Sequence, residues 1–354
     1  MSSFCGHLTF VYSVIVSKGK CSKDILPKID KSLSSNKSNR HLFQDSNSTG
    51  NNITKVIVEE LHTHPWCDHG PTILFENITS TTAFYSCSAF RNRKQCPFYR
   101  KKSLKTTSEL KNLPSQKQAR SVESPTVFCH TCQKLYDKVN VHECRDKKGH
   151  DIERNTKLFK RPSILLKNLE DSKAQAQFHF SQETLNVITE TIDKKVEEIG
   201  DALILFIGAP SVYEELKSKQ TAAEMLVLDI DIRLAQFLPN EEFCHYNMFN
   251  HHFFDSESLE IYKSKISRNY KSIIVITDPP FGGRPELISW TLQKMDKELK
   301  CEVFHMFWIF PYFMEPKIKT VMPSLHMSDY QVTYKGKKIG FYTTYFKRFK
   351  NLFQ

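Results

Sequence analysis

Residues 272–281 read Ser-Ile-Ile-Val-Ile-Thr-Asp-Pro-Pro-Phe, an apolar run that ends in an acidic residue and two prolines. The run 272–277 is typical of a strand buried on both faces, as the strands of parallel sheets are. The motif Asp278-Pro279-Pro280-Phe281 follows it directly, at the edge where an α/β sheet exposes functional side chains. A turn that merely ends the strand would read the same, so the motif needs support from the rest of the chain.

Three further apolar runs, at 202–207, 225–228 and 303–310, have the same buried character. Segments with helical periodicity lie between or before the strands, at 181–200, 212–219 and 285–300. Strands that alternate with helices predict a doubly wound, Rossmann-like α/β domain, which we assign to residues 156–345. Its ligand is expected beyond the carboxyl ends of the strands.

Acidic residues and a glycine follow two of these strands. Asp229 and Asp231 come at the end of the run 225–228, where nucleotide-binding folds place a carboxylate on ribose hydroxyls. Asp229 is the first choice for this role and Asp231 the second. Gly208 follows the run 202–207 and predicts a turn below a cofactor, although the fuller Gly-x-Gly pattern is absent.

The overall composition favours a polyanionic partner. The chain has 354 residues, with 50 Lys and Arg against 39 Asp and Glu, and a net charge of +11. No apolar run reaches the roughly 20 residues that span a bilayer, so we expect no membrane partner. The polar composition predicts a partly disordered segment over 1–60, disordered chiefly at 17–55, a linker over 105–124 and a basic tail over 346–354.

A first group of Cys and His residues lies within 61–104. Cys67, His69, Cys87 and Cys96 form the pattern Cys-x-His-x17-Cys-x8-Cys. Three thiolates and one imidazole complete a tetrahedral structural zinc site with no open position. Disulfide pairing is the alternative, but His at ligand spacing favours zinc.

A second group lies within 125–155. Cys129 and Cys132 form a Cys-x2-Cys pair, which His142 follows after nine residues. His150 is the preferred fourth ligand and Cys144 the alternative. A redox Cys-x2-Cys pair is the competing interpretation of Cys129 and Cys132. Together, the two groups predict two structural zinc ions, and the fourth ligand of the second ion stays open.

Several motifs resemble those of a known family. The aromatic pair Phe84-Tyr85 before Cys87 is similar to GRF-type zinc fingers, which commonly bind single-stranded nucleic acid, although the Gly-Arg-Phe triplet itself is absent. The remaining motifs are His-Pro-Trp-Cys-Asp-His-Gly-Pro at 64–71, Tyr-Asn-Met-Phe-Asn-His-His-Phe-Phe at 246–254 and Asp-Pro-Pro-Phe-Gly-Gly at 278–283. In this combination and order the chain resembles the zinc-finger, CCHC-domain-containing ribosomal RNA adenine-N6 methyltransferases.

The resemblance implies an S-adenosylmethionine-dependent enzyme that methylates the exocyclic amine of adenine in RNA, most readily large-subunit ribosomal RNA. Asp278 and the carbonyl of Pro279 would accept the hydrogens of the amine, Pro280 would stiffen the loop and Phe281 would stack on the base. Two acceptors favour pyramidalisation of the nitrogen, so catalysis would consist mainly of positioning and electrostatics.

The resemblance also implies a set of cofactor contacts, of which Asp229 and Asp278 have independent support from their positions. The set is Gln177, Phe178, His179, Phe180, Asp229, Phe249, Asn250 and Asp278. A nuclear or nucleolar location is expected, with the cytoplasm as an alternative, and the oligomeric state stays open.

Two departures from the family leave other interpretations open. Family members continue into further Cys/His modules, whereas this sequence ends at Gln354, as a truncated, fragmentary or divergent member would; Ser211 stands where the family has Arg. The same chemistry on another RNA or on DNA is one alternative. A zinc-dependent RNA-binding protein with a degenerate methyltransferase fold is another.

Overall fold

The structure is a computed structural model. It describes residues 42–44, 53–57, 60–77, 82–90, 93–102, 124–137, 150–167, 179–280, 283–335 and 342–347. Within these ranges, no helix has the length and apolar character needed to cross a membrane.

The described residues form strands β1 to β18 and helices α1 to α6. The strands are β1 Leu42–Gln44, β2 Ile53–Ile57, β3 Trp66–Cys67, β4 Gly70–Pro71, β5 Ile73–Asn77, β6 Ala83–Ser86, β7 Tyr99–Lys101, β8 Val127–Cys129, β9 Lys134–Tyr136, β10 Ile152–Glu153, β11 Ala202–Ile207, β12 Glu224–Asp229, β13 Phe243–Asn247, β14 His252–Phe253, β15 Tyr270–Thr277, β16 Cys301–Pro311, β17 His326–Val332 and β18 Tyr342–Lys347. The helices are α1 Pro162–Leu165, α2 Gln182–Ile199, α3 Pro210–Lys219, α4 Ser256–Ile266, α5 Pro285–Glu298 and α6 Glu315–Val321.

A central sheet of eight strands has the order β14-β13-β12-β11-β15-β16-β18-β17. The five adjacent strands β13, β12, β11, β15 and β16 are parallel, whereas β18 runs antiparallel to both of its neighbours. The chain runs from β11 to β12 and β13 on one side and then returns to place β15 on the other side of β11. This reversal is the switch point at which doubly wound sheets bind ligands.

Both faces of this sheet are buried, as the continuous apolar strands predict. Alternate residues of β11 point to opposite faces: Leu203 and Leu205 join one core cluster, and Ile204 and Phe206 join the other. We call the face covered by α4, α5 and α6 the first face, and the face covered by α2 and α3 the second face. The core residues that these helices supply are Tyr262, Leu292 and Ile318 on the first face and Ile188 and Leu216 on the second.

Two small modules pack on the central domain from opposite faces. The first has a five-stranded sheet, β1-β2-β5-β6-β7, and its Ile73 and Phe75 join the core of the first face. The second has a three-stranded sheet, β10-β8-β9, and its Phe128 and Leu135 join the core of the second face. The chain is thus one central α/β domain flanked by a small module on each side.

The α/β prediction is confirmed, including its strands and three helices, with boundaries that move by a few residues. Ser181 and Gly200 cap α2 rather than belonging to it: the Ser181 hydroxyl accepts from Thr184 N, and Gly200 is the carboxyl-terminal cap. Within the segment 1–60, predicted to be partly disordered, the structure describes strands β1 and β2, and β2 pairs with β5, which satisfies its backbone polar groups.

Candidate active site and metal centres

The carboxyl ends of β11, β12 and β15 lie side by side at the switch point. Ile207 pairs in register with both Leu228 and Thr277. Just beyond these pairs, the backbone N–H of Gly208 donates to Leu228 O over 3.0 Å, and that of Asp278 donates to Ile207 O over 3.1 Å. The glycine turn and the acidic motif that the sequence singled out are therefore adjacent.

Gly208 lies at the base of this crevice, closely covered by Met248 and by the backbone of Asp278. Its φ of +65° is in the left-handed region, and a Cβ here would lie 2.6 Å from Met248 Cε and 3.1 Å from Asp278 O. A side chain at this position would be both strained and crowded. The bare backbone is what a nucleotide-type cofactor needs in order to approach a strand end closely.

Asp278 is partly buried and held by a tyrosine from the far end of the domain. The Tyr334 hydroxyl donates to Asp278 Oδ1 over 3.0 Å. Desolvation raises the pKa of Asp278 to about 8, and the hydrogen bond from Tyr334 opposes this shift. A carboxyl group that titrates near neutral pH at a strand end is typical of a functional site.

The two prolines after Asp278 lead into a tight turn. Pro279 is buried, and Pro280 O accepts a hydrogen bond from Gly283 N over 2.7 Å. A Cβ on Gly283 would lie 2.9 Å from Pro280 O and 3.1 Å from Phe249 Cε1, so the turn requires glycine and packs against Phe249. The predicted stacking residue, Phe281, lies outside the described residues.

The acidic pair after β12 divides into two different environments. Asp229 is buried, which raises its pKa to about 7, and it accepts a hydrogen bond from Asp231 N over 2.8 Å. Asp231 instead forms a two-point ion pair, in which its oxygens lie 2.8 Å from Arg233 Nε and 2.6 Å from Nη2. Because Arg233 occupies the carboxylate of Asp231, the geometry favours Asp229 as the residue that meets a ribose.

The loop after β13 joins the crevice to the first module. Asn250 Nδ2 donates to His69 O over 3.1 Å and to Pro71 O over 2.9 Å. Asn250 Oδ1 is buried and has no hydrogen-bond partner among the described residues. A buried acceptor of this kind costs stability unless a ligand or water satisfies it, so Asn250 fits the predicted cofactor contact.

The segment before α2 is described from His179 onward; Gln177 and Phe178 lie outside the described residues. His179 O accepts a hydrogen bond from Lys335 N over 2.8 Å, and burial lowers the pKa of the His179 imidazole. Phe180 stacks on Tyr334 with ring centroids 4.9 Å apart. The segment thus reaches the crevice through Tyr334.

The first Cys/His group forms a compact cluster. The ligand atoms of Cys67, His69, Cys87 and Cys96 all lie within 4.8 Å of one another, and the three cysteines are buried. Ligands about 2.0 to 2.3 Å from a shared ion would be separated by such distances. The donor set of three thiolates and one imidazole therefore fits a structural zinc ion.

The second Cys/His group brings together three of its four predicted ligands. His150 Nδ1 lies 3.3 Å from Cys129 Sγ and 3.5 Å from Cys132 Sγ. His142 and the alternative ligand Cys144 lie outside the described residues. The three described ligands are compatible with zinc, and the identity of the fourth stays a prediction.

Sequence reasoning missed three residues that shape the crevice: Tyr334, Met248 and Arg233. Tyr334 belongs to no quoted motif, and Met248 lies within the motif at 246–254 without any local pattern that indicates its contact with Gly208. For Arg233 the sequence offered a partial signal, because Asp231 is a preferred helix-capping residue two positions before it, and Asp231 caps the 3-10 helix Ile232–Gln236.

Open strand ends at the switch point, a buried carboxylate after β12 and an Asp-Pro-Pro turn after β15 define a Rossmann-like domain of the methyltransferase class. Residues 171–351 match the family model described as probable N6-adenine methyltransferase. The chain belongs to this family.

Two curated relatives extend the match beyond that domain. A human protein named rRNA N(6)-adenosine-methyltransferase ZCCHC4 is 34% identical over 312 residues, which cover 76% of this chain and 59% of that protein. The protein of the same name from Xenopus laevis is 33% identical over 313 residues, covering 78% of this chain and 63% of that one. The chain thus spans about three fifths of the length of these relatives.

Among solved structures, an S-adenosylmethionine-dependent methyltransferase from Clostridium acetobutylicum aligns over 47% of this chain and 76% of its own. The sequence identity is 12% and the TM-score 0.24, which is too low to establish a shared fold.

Proposed function

We propose that this chain transfers a methyl group from S-adenosylmethionine to the N6 amine of adenine in RNA. The observation that carries the proposal is the position of the Asp278-Pro279-Pro280 turn beside Gly208, at the switch point of the sheet. Family membership supports the reaction class.

The described residues fit the cofactor. Asp229 offers a buried carboxylate for the ribose hydroxyls, Gly208 provides a left-handed turn with no side chain at the strand end, and Asn250 Oδ1 is a buried acceptor that a ligand would satisfy. When bound, S-adenosylmethionine supplies an electrophilic methyl group. The protein's part is to exclude water from this crevice and to orient the acceptor amine.

Asp278 and the Pro279 carbonyl would hold the target amine. An adenine amine is a weak nucleophile because its lone pair is delocalised into the ring. Two acceptors for its hydrogens favour a pyramidal nitrogen and direct its lone pair toward the methyl group. This is catalysis by positioning and fixed dipoles, and it needs Asp278 in its ionised, accepting form.

RNA is the proposed substrate because of the first module and the names of the relatives. Strand β7 lies at the edge of the module's described sheet and exposes Tyr99, Arg100 and Lys101. The guanidinium carbon of Arg93 lies 4.3 Å from the centre of the Tyr99 ring. Exposed cations beside an aromatic ring suit a phosphate backbone with stacked bases.

Ribosomal RNA is the finer proposal, since the curated relatives are named for it. We place the reaction in the nucleus or nucleolus, where ribosomal RNA is made, with the cytoplasm as the alternative. If the target adenine is stacked in a helix, it must be extruded before it reaches Asp278.

The test is nucleoside mass spectrometry of ribosomal RNA incubated with S-adenosylmethionine and the purified, zinc-loaded chain. We expect N6-methyladenosine with the unaltered chain and a loss of at least about 100-fold with Asp278→Ala, since it removes a direct acceptor of the reacting amine. Methylation of DNA or other RNA but not ribosomal RNA would overturn the finer proposal. RNA binding without any methylation would favour a binding protein with a degenerate methyltransferase fold.

A further inference from the structure

Tyr334 lies far from the Asp-Pro-Pro motif in sequence but contacts it in space. It comes two residues after β17 ends at Val332, and it is 4% exposed. Its hydroxyl donates to Asp278 Oδ1 over 3.0 Å, and Tyr334 is the donor that the described residues supply to this carboxyl group. No local sequence pattern announces this pairing.

Backbone hydrogen bonds of the residues before and after Tyr334 hold its ring in place. Ser181 N donates to Thr333 O over 2.9 Å and Lys335 N donates to His179 O over 2.8 Å, forming a short antiparallel ladder. Phe180 stacks on the Tyr334 ring with an interplanar angle of 21°. The hydroxyl is therefore held in place before any substrate arrives.

Side-chain hydroxyls join this ladder to the start of α2. Thr333 Oγ1 lies 2.6 Å from Ser181 Oγ and 3.1 Å from Thr184 Oγ1, and Thr333 N donates to Thr184 Oγ1 over 3.0 Å. Buried networks in which each member has a partner are rigid and specify one arrangement. A tyrosine with a packing role alone would not need to donate to Asp278, the carboxyl group proposed to hold the amine.

We propose that Tyr334 is a positioning residue for Asp278: its hydroxyl fixes Oδ1, leaves Oδ2 to accept from the adenine amine, and stabilises the ionised carboxylate. The proposal rests on the proposed methyltransferase function for its kinetic consequence, but not for the hydrogen bond itself. No proton needs to leave Tyr334 in this role, since the phenol donates throughout.

Electrostatics supports the assignment. Desolvation raises the pKa of Asp278 to about 8, and the Tyr334 hydrogen bond is the influence that lowers it. A hydrogen bond to a charged group favours the ionised form. Without Tyr334, a larger fraction of Asp278 would be protonated at neutral pH and would accept the amine less well.

Tyr334→Phe removes the hydroxyl and keeps the stacked ring. We expect the pKa of Asp278 to rise by about one unit, which is the usual size of one hydrogen bond to a charged group. The acidic limb of the kcat profile would move upward by the same amount, with KM for RNA changed less than about twofold. Tyr330→Phe is the matched control, because Tyr330 donates to Thr184 in the same network and not to Asp278.

The direct measurement is carbon-13 NMR of the aspartate carboxyl groups, with the Asp278 signal assigned by its loss in Asp278→Asn. A rise in the Asp278 pKa in Tyr334→Phe but not in Tyr330→Phe supports the proposal. Equal pKa values in the unaltered chain and Tyr334→Phe, or an equal rise in Tyr330→Phe, would overturn it.

This readout needs no catalysis, so it separates the two proposals. If the unaltered chain methylates no nucleic acid, the proposed function fails while the NMR result still decides the role of Tyr334. If Tyr334→Phe does not fold, 3-fluorotyrosine at position 334 keeps the stacked ring and makes its hydroxyl a stronger donor: a lowered Asp278 pKa would support the proposal, and an unchanged pKa would overturn it.

Discussion

The two Cys/His modules flank the same sheet but attach to it differently. In the first module, the main-chain oxygen of the ligand His69 accepts hydrogen bonds from both Asn247 and Asn250. In the second, contact is made by Gln133, the residue after the ligand Cys132, whose Oε1 lies 3.3 Å from Arg233 Nη1. The first centre thus contacts the loop beside the crevice through the backbone of a ligand residue, and the second module contacts the 3-10 helix Ile232–Gln236 through Gln133 and Leu135, which are not ligands.

The two modules therefore support different parts of the crevice. The loop held by the first module carries Phe249, which packs beside Gly283 after the Asp278-Pro279-Pro280 motif. The second module meets the 3-10 helix Ile232–Gln236, behind Asp231. We therefore expect disruption of the first centre to deform the cofactor crevice more than disruption of the second.

The largest expected effect comes from removing one metal centre at a time. Cys67→Ala and Cys129→Ala should each lower bound zinc from about two ions per chain to one, because a structural site needs all of its ligands. Cys67→Ala should weaken S-adenosylmethionine binding by more than about tenfold and Cys129→Ala by less. Zinc content by mass spectrometry and binding by calorimetry measure both, and equal losses would refute the asymmetry.

Asn247→Ala tests the contact itself without touching a ligand. The buried Asn247 amide donates to His69 O over 2.8 Å and to Ser88 Oγ over 3.0 Å, and its Oδ1 accepts from Phe249 N over 3.0 Å. Losing these bonds should lower the free energy of unfolding by about 2 to 4 kcal/mol.

Urea unfolding measures the loss of unfolding free energy in Asn247→Ala, with Asn186→Ala as the control. The exposed side chain of Asn186 accepts a hydrogen bond from Gln182 on α2, so its replacement should change the free energy of unfolding by no more than about 0.5 kcal/mol. A loss for Asn247→Ala as small as that for the control would mean that the module is loosely attached.

Proton binding probes the second module's side of the crevice. Because burial raises the pKa of Asp229 to about 7, its ionised fraction falls about tenfold between pH 8 and pH 6. S-adenosylmethionine affinity should fall by nearly the same factor in calorimetry, and Asp229→Asn should abolish that dependence. The free energy of unfolding depends on pH in the opposite direction to the binding affinity. Because the pKa of Asp229 is raised in the folded state, unfolding becomes easier as the pH rises toward about 7.

Gln236→Ala should have the smallest effect. Its side chain accepts from Leu135 N over 3.1 Å and donates to Gln133 O over 3.4 Å, both partly exposed contacts with the second module. We expect a loss of about 1 kcal/mol in unfolding free energy and an unchanged zinc content. A loss as large as that of Asn247→Ala would show that both modules are held equally firmly.

Much of the central domain was predictable, because its strands are buried on both faces and read as unbroken apolar runs. The strand β11 was placed at its observed ends, and Asp229 and Asp278 were found because each directly follows such a strand. Asp229 and Asp278 were expected at the same edge of the sheet because the carboxyl ends of parallel strands lie together.

Other elements escaped for physical reasons. Helix α4 and strand β17 are amphipathic and mixed in composition, and β17 alternates exposed and buried residues because it lies at the sheet's described edge. Tyr334 reaches Asp278 through long-range packing, which no local pattern encodes. The short strands β1 and β2 gain their stability from pairing in a sheet, so their polar surroundings in the sequence predicted disorder instead.

We propose that the crevice at the carboxyl ends of β11, β12 and β15 binds S-adenosylmethionine. Calorimetric titration of the zinc-loaded chain tests it most directly, with Asp229→Ala and the exposed-site control Asp329→Ala in parallel. We expect one molecule bound per chain, binding weakened at least about tenfold by Asp229→Ala, and no change for Asp329→Ala. No binding by the unaltered chain, or equal binding by Asp229→Ala, would contradict it.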